Sequence, residues 1–287
     1  MNAQPLIIIG AGRSGTNILR DTLVALPGFR TWDCDEINLI WRHGNINHQT
    51  DVLTSAQATP EVRRFIRNSF DKLARKTVAN VVVEKTCANT LRVPFVEAVL
   101  PEARYIHIVR DGRDVALSSM LRWRAPVEPK YLLRKLRHVP FSDIPFHLRR
   151  FAMNRLHQIT RQDKRQAVWG PIYQGMREDV KTNPLSEVCA KQWVECVTNA
   201  SEALLEMRPE KSITVKYEDL VSKPRTVIQT ICEWYEPGLS SHLPQGATDR
   251  IFDKSAGAWK KKSGLLTPRS FAIMTSTLRK FGYETAN

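Results

Sequence analysis

Residues 5–17 read Pro-Leu-Ile-Ile-Ile-Gly-Ala-Gly-Arg-Ser-Gly-Thr-Asn, and their order decides the kind of fold. An apolar run, Leu6 to Ile9, breaks into a loop of small residues, and the helix-patterned stretch Ile18–Leu26 follows at once. A strand that feeds a glycine loop at a helix N-terminus makes an anion site, because unpaired backbone N–H groups and the helix dipole both point at the bound charge. Three loop chemistries fit this segment. Gly10, Gly12 and Gly15 spell the dinucleotide fingerprint G-x-G-x-x-G, with Asp33 or Asp35 near the spacing of a ribose-binding acid. The same glycines have P-loop spacing, but Thr16 stands where that loop requires lysine. In the third, Arg13, Ser14, Thr16 and Asn17 add a charge, hydroxyls and an amide to the backbone nest. A dinucleotide loop needs small or apolar residues so that the pyrophosphate can approach the backbone closely. Arg13-Ser14 in mid-loop suits a more highly charged anion.

A second stretch narrows the choice. Ala103–Val109 has the composition of a buried strand and runs straight into Arg110-Asp-Gly-Arg-Asp-Val-Ala-Leu-Ser118-Ser119. Asp111 or Asp114 can cap a helix start. Arg110 at the strand end and Ser118 two turns into the helix can then converge on one anion, the arginine as a planar fork and the serine as a donor. A dinucleotide enzyme has no use for a second clamp of this kind. Two anion sites on neighbouring strand ends imply a ligand that carries two separated phosphate-like groups.

The rest of the chain supplies the scaffold. Leu6–Ile9, Ala79–Glu84, Ala103–Val109 and Ser212–Lys216 read as strands; Thr16–Leu26, Pro60–Lys76, Pro94–Leu100, Asp114–Trp123, Pro184–Met207 and Pro224–Tyr235 read as helices. This alternation predicts an α/β fold, a three-layer sandwich whose mostly parallel central sheet is covered on both faces, with ligands at the strand carboxyl ends. No linker, repeat or low-complexity tract divides the 287 residues, so one domain spanning 1–287 is expected. The formal net charge is +14, and residues 121–165 hold twelve Lys/Arg against three Asp/Glu. Residues 121–180 therefore read as a helical basic insertion, either a solvated face or a basic wall for an acidic partner. Five cysteines without C-x-x-C spacing, and scattered histidines, argue against a zinc site or a disulfide framework. The first strand begins almost at the N-terminus, and no apolar run reaches membrane-spanning length, so a cytoplasmic protein is expected. No nucleic-acid motif or aromatic–basic repeat accompanies the charge.

At these residues the chain resembles sulfotransferases that use 3′-phosphoadenosine 5′-phosphosulfate (PAPS). Arg13-Ser-Gly-Thr-Asn after a strand is similar to that family's 5′-phosphosulfate loop, and Arg110 with Ser118 is similar to its 3′-phosphate motif. Val83-Glu-Lys85-Thr resembles the strand-end lysine segment, Val215-Lys-Tyr217-Glu-Asp-Leu-Val the stretch whose tyrosine lies near the adenine, and Lys254-Ser-Ala-Gly-Ala-Trp259-Lys260 the late basic loop over the nucleotide. The matches run in order from about residue 5 to 262. The resemblance implies a P-loop-like sulfotransferase fold and PAPS as co-substrate, released as adenosine 3′,5′-bisphosphate (PAP), with no metal. It implies nucleotide binding by Arg13, Ser14, Gly15, Thr16, Asn17, Arg110, Ser118, Tyr217, Trp259 and Lys260.

Sulfuryl transfer, like phosphoryl transfer, is an in-line displacement that needs cations at the bridging and equatorial oxygens and a base for the acceptor hydroxyl. Arg13 and Lys85 are the candidate cations. In the small-molecule branch of the family a histidine follows the Lys-Thr pair; here that position is Cys87, and His107 reads as a satisfied core residue. The acidic cluster Asp33, Asp35 and Glu36 resembles the base region of protein-tyrosine sulfotransferases, reached through an insertion at Thr31-Trp32, and Glu36 is the candidate base with Asp35 as the alternative. Peptidyl tyrosine in an acidic peptide or protein is the expected acceptor. A glycan hydroxyl is the other, since carbohydrate sulfotransferases of bacterial type share the loop, and Trp32 and Trp41 could stack on a sugar. A FAD- or NAD-binding oxidoreductase is the more distant reading. No nucleic acid or membrane partner is expected, and a homodimer is compatible.

Overall fold

The Leu6–Ile9 run forms most of β1 (Gln4–Ile9), which lies at the centre of a five-stranded sheet in a computed structural model that describes residues 3–125, 137, 140–160, 166–252 and 255–284. The other strands are β2 (Phe29–Arg30), β3 (Val81–Lys85), β4 (Arg104–Val109) and β5 (Ser212–Lys216). Their order is β2-β3-β1-β4-β5, and every pairing is parallel. Ile8 of β1 pairs with Lys85, Ile9 with His107, and Val109 with Lys216. This register brings the strand carboxyl ends, and the loops that leave them, to one edge of the sheet.

The helices are α1 (Thr16–Leu23), α2 (Asn38–Trp41), α3 (Pro60–Thr77), α4 (Val93–Val99), α5 (Gly112–Arg124), α6 (Ile144–Thr160), α7 (Met176–Thr182), α8 (Leu185–Leu205), α9 (Tyr217–Ser222), α10 (Pro224–Tyr235) and α11 (Pro268–Lys280). Period-two alternation assigns the strand residues to two faces. Ile7, Ile9, Val82 and Tyr105 pack with α3 and α4, while Leu6, Ile8, Val83, Ile106 and Ile108 pack with α1 and α10. The sheet is thus the middle layer of three. A further core beyond its edge joins α5, α8 and α11 through Val115, Trp193 and Met274. Start signals work as the sequence suggests: the Thr59 hydroxyl accepts from Val62 N before Pro60, and the Asp111 carboxylate accepts from Arg113 N at the start of α5.

Several expectations need correction. Trp41 is fully buried and Trp32 nearly so, both packed edge-on against Phe70, so neither offers a face to an acceptor. His107 is buried as expected but not satisfied: its Nε2 has no hydrogen-bond partner, and burial pushes its pKa down to about 4. The helix expected to reach Leu26 stops at Leu23, just before Pro27. The α11 helix was not expected, although Thr267 caps it and Pro268 opens it. Within 121–180 the structure has the end of α5, then α6 and α7, while 126–136, 138–139 and 161–165 lie outside the described residues. Among the described residues no helix is long and apolar enough to cross a membrane.

Candidate active site

The strand ends open into a cleft of about 820 Å³ lined by Arg13, Gly15, Thr16, Asn17, Asp35, Glu36, Lys85, Arg110 and Tyr217, among others. Residues from four separate loops therefore meet in one place. Arg13 adopts a left-handed backbone with φ 74°, unusual for a side chain with a Cβ. Its carbonyl accepts from Arg110 Nη1 at 3.0 Å, which holds the loop in that shape. Gly15 follows at φ 86°, and a Cβ there would meet the Tyr217 ring at 2.4 Å. Only glycine gives both the turn and the close approach. Ser14 is fully buried, and its Oγ has no partner.

Arg110 leaves the end of β4 and lies over the Tyr217 ring, 4.2 Å from its centroid. Its Nη2 donates to Ser255 O at 2.7 Å and Ser255 Oγ at 2.9 Å, while its buried Nε has no partner. Arg13 Nε donates to Ser118 Oγ at 2.9 Å. The expected pairing of Arg110 with Ser118 is thus bridged by Arg13, whose carbonyl meets one and whose guanidinium meets the other. Burial, then the charges of Arg122 and Arg110, lower the Arg13 pKa. Asp114 lies 3.7 Å from Arg110 Nη2 and Asp35 acts on Arg13, but burial and the neighbouring arginines still outweigh them at Arg13, a field that favours a bound anion.

On the other side of the loop, Lys85 is almost wholly buried and donates to Glu36 Oε1 at 3.0 Å and Asp35 Oδ1 at 3.3 Å. Burial works against its charge, but the Glu36 and Asp35 carboxylates outweigh it and hold the ammonium pKa above its ordinary value. Asp35 also takes Arg20 Nη1 at 3.3 Å. Cys87 N donates to Glu36 Oε1 at 3.4 Å, and burial and the Glu36 charge push the Cys87 thiol pKa well up. A thiol held neutral in this way is no base.

A family model described as the sulfotransferase family matches residues 5–161. This chain belongs to the sulfotransferase family. The fold is also that of the sulfotransferase domain from the curacin biosynthetic pathway, at 15% identity and TM-score 0.52 with 99% of each chain covered. It is similar to the sulfotransferase domain of the Synechococcus PCC 7002 olefin synthase (18%, 0.51, with 99% of this chain and 97% of that one covered). It is similar as well to sulfotransferase STF9 from Mycobacterium avium (15%, 0.55, with 99% and 78% covered). At these identities the likeness is one of fold. No curated protein matches the chain.

Within this sulfotransferase not every expected residue reaches the cleft. Ser14 lies beneath it, and Ser118, Trp259 and Lys260 do not line it. Trp259 stacks on Arg113 at 3.9 Å, and its loop is pinned by Asp114, whose carboxylate accepts from Gly257 N at 2.7 Å and Trp259 N at 2.8 Å. Lys254, of the same motif, lies outside the described residues. The sequence reading missed Arg122, His147, Trp169, Arg250 and Phe252, all on the cleft wall. Arg122 alone carried a signal, standing one turn beyond Ser118 on the same helix face.

Behind Lys85 runs a buried polar chain. Glu84 accepts from Thr86 Oγ1 and Asn89 Nδ2, Asn89 Oδ1 accepts from Arg92 Nε, and Arg92 Nη2 donates to Asn38 Oδ1 at 2.6 Å. Thr86 Oγ1 also accepts from Ile37 N at 3.2 Å. The backbone just after Glu36 is thereby fastened to the end of β3.

Proposed function

We propose that this sulfotransferase takes its sulfuryl group from PAPS and transfers it to the phenolic hydroxyl of a peptidyl tyrosine flanked by acidic residues. The observation that carries the reading is the meeting of Arg13, Arg110, Lys85 and Glu36 in one cleft at the strand ends. The residues fit the nucleotide. Ser14 Oγ and Arg110 Nε are buried donors without partners, as a site built for phosphate-like oxygens requires, and Phe252, about half exposed, offers a face for a base. A volume of about 820 Å³ has room for a nucleotide and part of a second substrate.

The roles follow from charge. Arg13 and Lys85 neutralise the sulfuryl oxygens as the bond from sulfur to the bridging oxygen breaks, and PAP departs with that electron pair. Glu36 accepts the proton of the attacking hydroxyl as the new sulfur–oxygen bond forms. Its Oε1 lies 3.0 Å from Lys85 Nζ, which holds the carboxylate beside the cation that meets the sulfuryl oxygens. Arg110 and Tyr217 hold the nucleotide end. A net charge of +14 suits an acidic acceptor.

A glycan hydroxyl is the second reading, but the two tryptophans that favoured it in the sequence lie in the core. Incubation with sulfur-labelled PAPS and an acidic tyrosine peptide beside an oligosaccharide panel tests the acceptor. Label on the peptide supports the proposal, and label on the oligosaccharides alone replaces it. Calorimetry with PAP tests the donor: Arg110→Ala is expected to weaken binding about 10–100-fold, the loss of a charge-assisted contact. Unchanged affinity would falsify the role given to Arg110.

A further inference from the structure

Residues 166–172 carry no regular secondary structure, yet buried side chains fasten them at several points. Gln166 N donates to Trp123 O at 2.9 Å, and Gln166 Nε2 donates to Arg122 O and Ala125 O at the end of α5. Gln192 Nε2, buried on α8, donates to both Trp169 O and Pro171 O at 2.9 Å. Gly170 between them turns at φ 74°, where a Cβ would come within 2.9 Å of Gln192 Nε2. Asp51 closes the far end, accepting from Ile172 N at 2.9 Å and donating its own N–H to Ile172 O at 2.8 Å.

These fastenings present one large side chain to the cleft. Trp169 is half-buried on the cleft wall, and its ring lies so near the anion loop that a Cβ on Gly12 would meet Cη2 at 3.4 Å. Arg110, Tyr217 and Ser255 form a cluster of their own on the same cleft, the guanidinium lying over the phenol ring and donating to Ser255. The strap is also coupled to the base. Asp51 pairs with Arg42 at 3.0 Å and Arg92 at 3.6 Å, and Arg92 holds Asn38, two residues beyond Glu36. One carboxylate therefore sets the ring and the base loop in a common frame.

We infer that Trp169 is the platform on which the acceptor's phenol ring lies, and that Gln192 is the positioning residue that fixes it. The inference rests on the tyrosine-acceptor reading above and adds the surface that selects for a flat aromatic ring. Stacking holds the ring beside the loop that binds the transferring group, where the hydroxyl must sit for in-line attack.

The test is calorimetric titration of an acidic tyrosine peptide into the full-length protein saturated with PAP. Trp169→Ala is expected to weaken peptide binding about tenfold, Trp169→Phe to restore it to within about threefold, and Gln192→Leu to fall between them. PAP affinity should stay within about twofold of wild type in all three, which also shows that the variants fold. In turnover, the Gln192 change should raise the peptide KM more than it lowers kcat. Wild-type peptide affinity in Trp169→Ala overturns the proposal, as does a parallel loss of PAP affinity, which would place the ring on the nucleotide. A wild type that binds PAP but no tyrosine peptide overturns it together with the tyrosine reading.

Discussion

Glu36 and Asp35 show how neighbouring carboxylates acquire different work. Asp35 is shared between Arg20 and Lys85, a partner on either side. Glu36 leans on Lys85 and on Cys87 N, at the end of the strand that carries the lysine. We expect Glu36→Gln to keep the shape and most of the hydrogen bonding while removing the proton acceptor. Turnover should drop about 10²–10⁴-fold, with PAP affinity changed less than about threefold. Single-turnover kinetics beside PAP calorimetry check this, and retained turnover would move the base to Asp35. At this scale the sequence was informative wherever a residue follows directly from a strand end, as Arg13, Lys85 and Arg110 do. Position along the chain then fixes position in the cleft. It was silent on Trp169, which is placed by Gln192 and Asp51 from far away in sequence. It was misleading for Trp32 and Trp41, because local pattern does not distinguish an aromatic aimed at Phe70 from one aimed at solvent.

Among the elements, α5 does more than carry Ser118. Its first turn anchors three partners: Asp111 N donates to Glu218 Oε1, Arg113 Nη1 to Glu284 O, and Asp114 accepts the two N–H groups of the 257–259 turn. That turn follows Ser255, the residue that holds Arg110. Asp114 therefore fixes the late loop and, through it, the nucleotide end of the cleft. Burial, only partly offset by those N–H groups and by Arg110, raises the Asp114 pKa. Asp114→Asn keeps one acceptor oxygen and forfeits the other, along with the charge. PAP binding should weaken about three- to tenfold, with faster hydrogen exchange at 255–260 and an unchanged acceptor KM. Exchange in that turn as slow as in wild type would show that Asp114 is not what holds it. Four of the five parallel strands and six of the helices were legible from alternation, whereas β2, α11 and the late loop's anchorage were not, the last because a carboxylate in Arg-Asp-Gly-Arg-Asp reads equally well as a helix cap.

For the whole molecule, two buried groups set opposing pH responses. Burial, and to a lesser degree Lys280, lower the His107 pKa from 6.5 to about 4, so between those values the folded state binds fewer protons than the unfolded one. Stability from this group is complete above pH 6.5 and is lost as pH falls toward 4. Burial raises the Glu84 pKa from 4.5 to about 7, so there the folded state binds more protons, and stability is lost as pH rises through that window. Across their overlap the two slopes cancel in part, and removing either group uncovers the other. We expect His107→Leu to gain on wild type as pH falls from 6.5 toward 4.5, by on the order of 2 kcal/mol. Glu84→Gln should instead gain on wild type as pH rises from 4.5 toward 7. The gain offsets part of the cost of disturbing the bonds to Thr86 and Asn89. Thermal melts of the three proteins at half-unit pH steps measure both differences directly. Parallel curves for His107→Leu and wild type would mean that the imidazole is protonated to the same extent in the folded and unfolded chains, contrary to its place between β1 and β5 in the interior of the sheet.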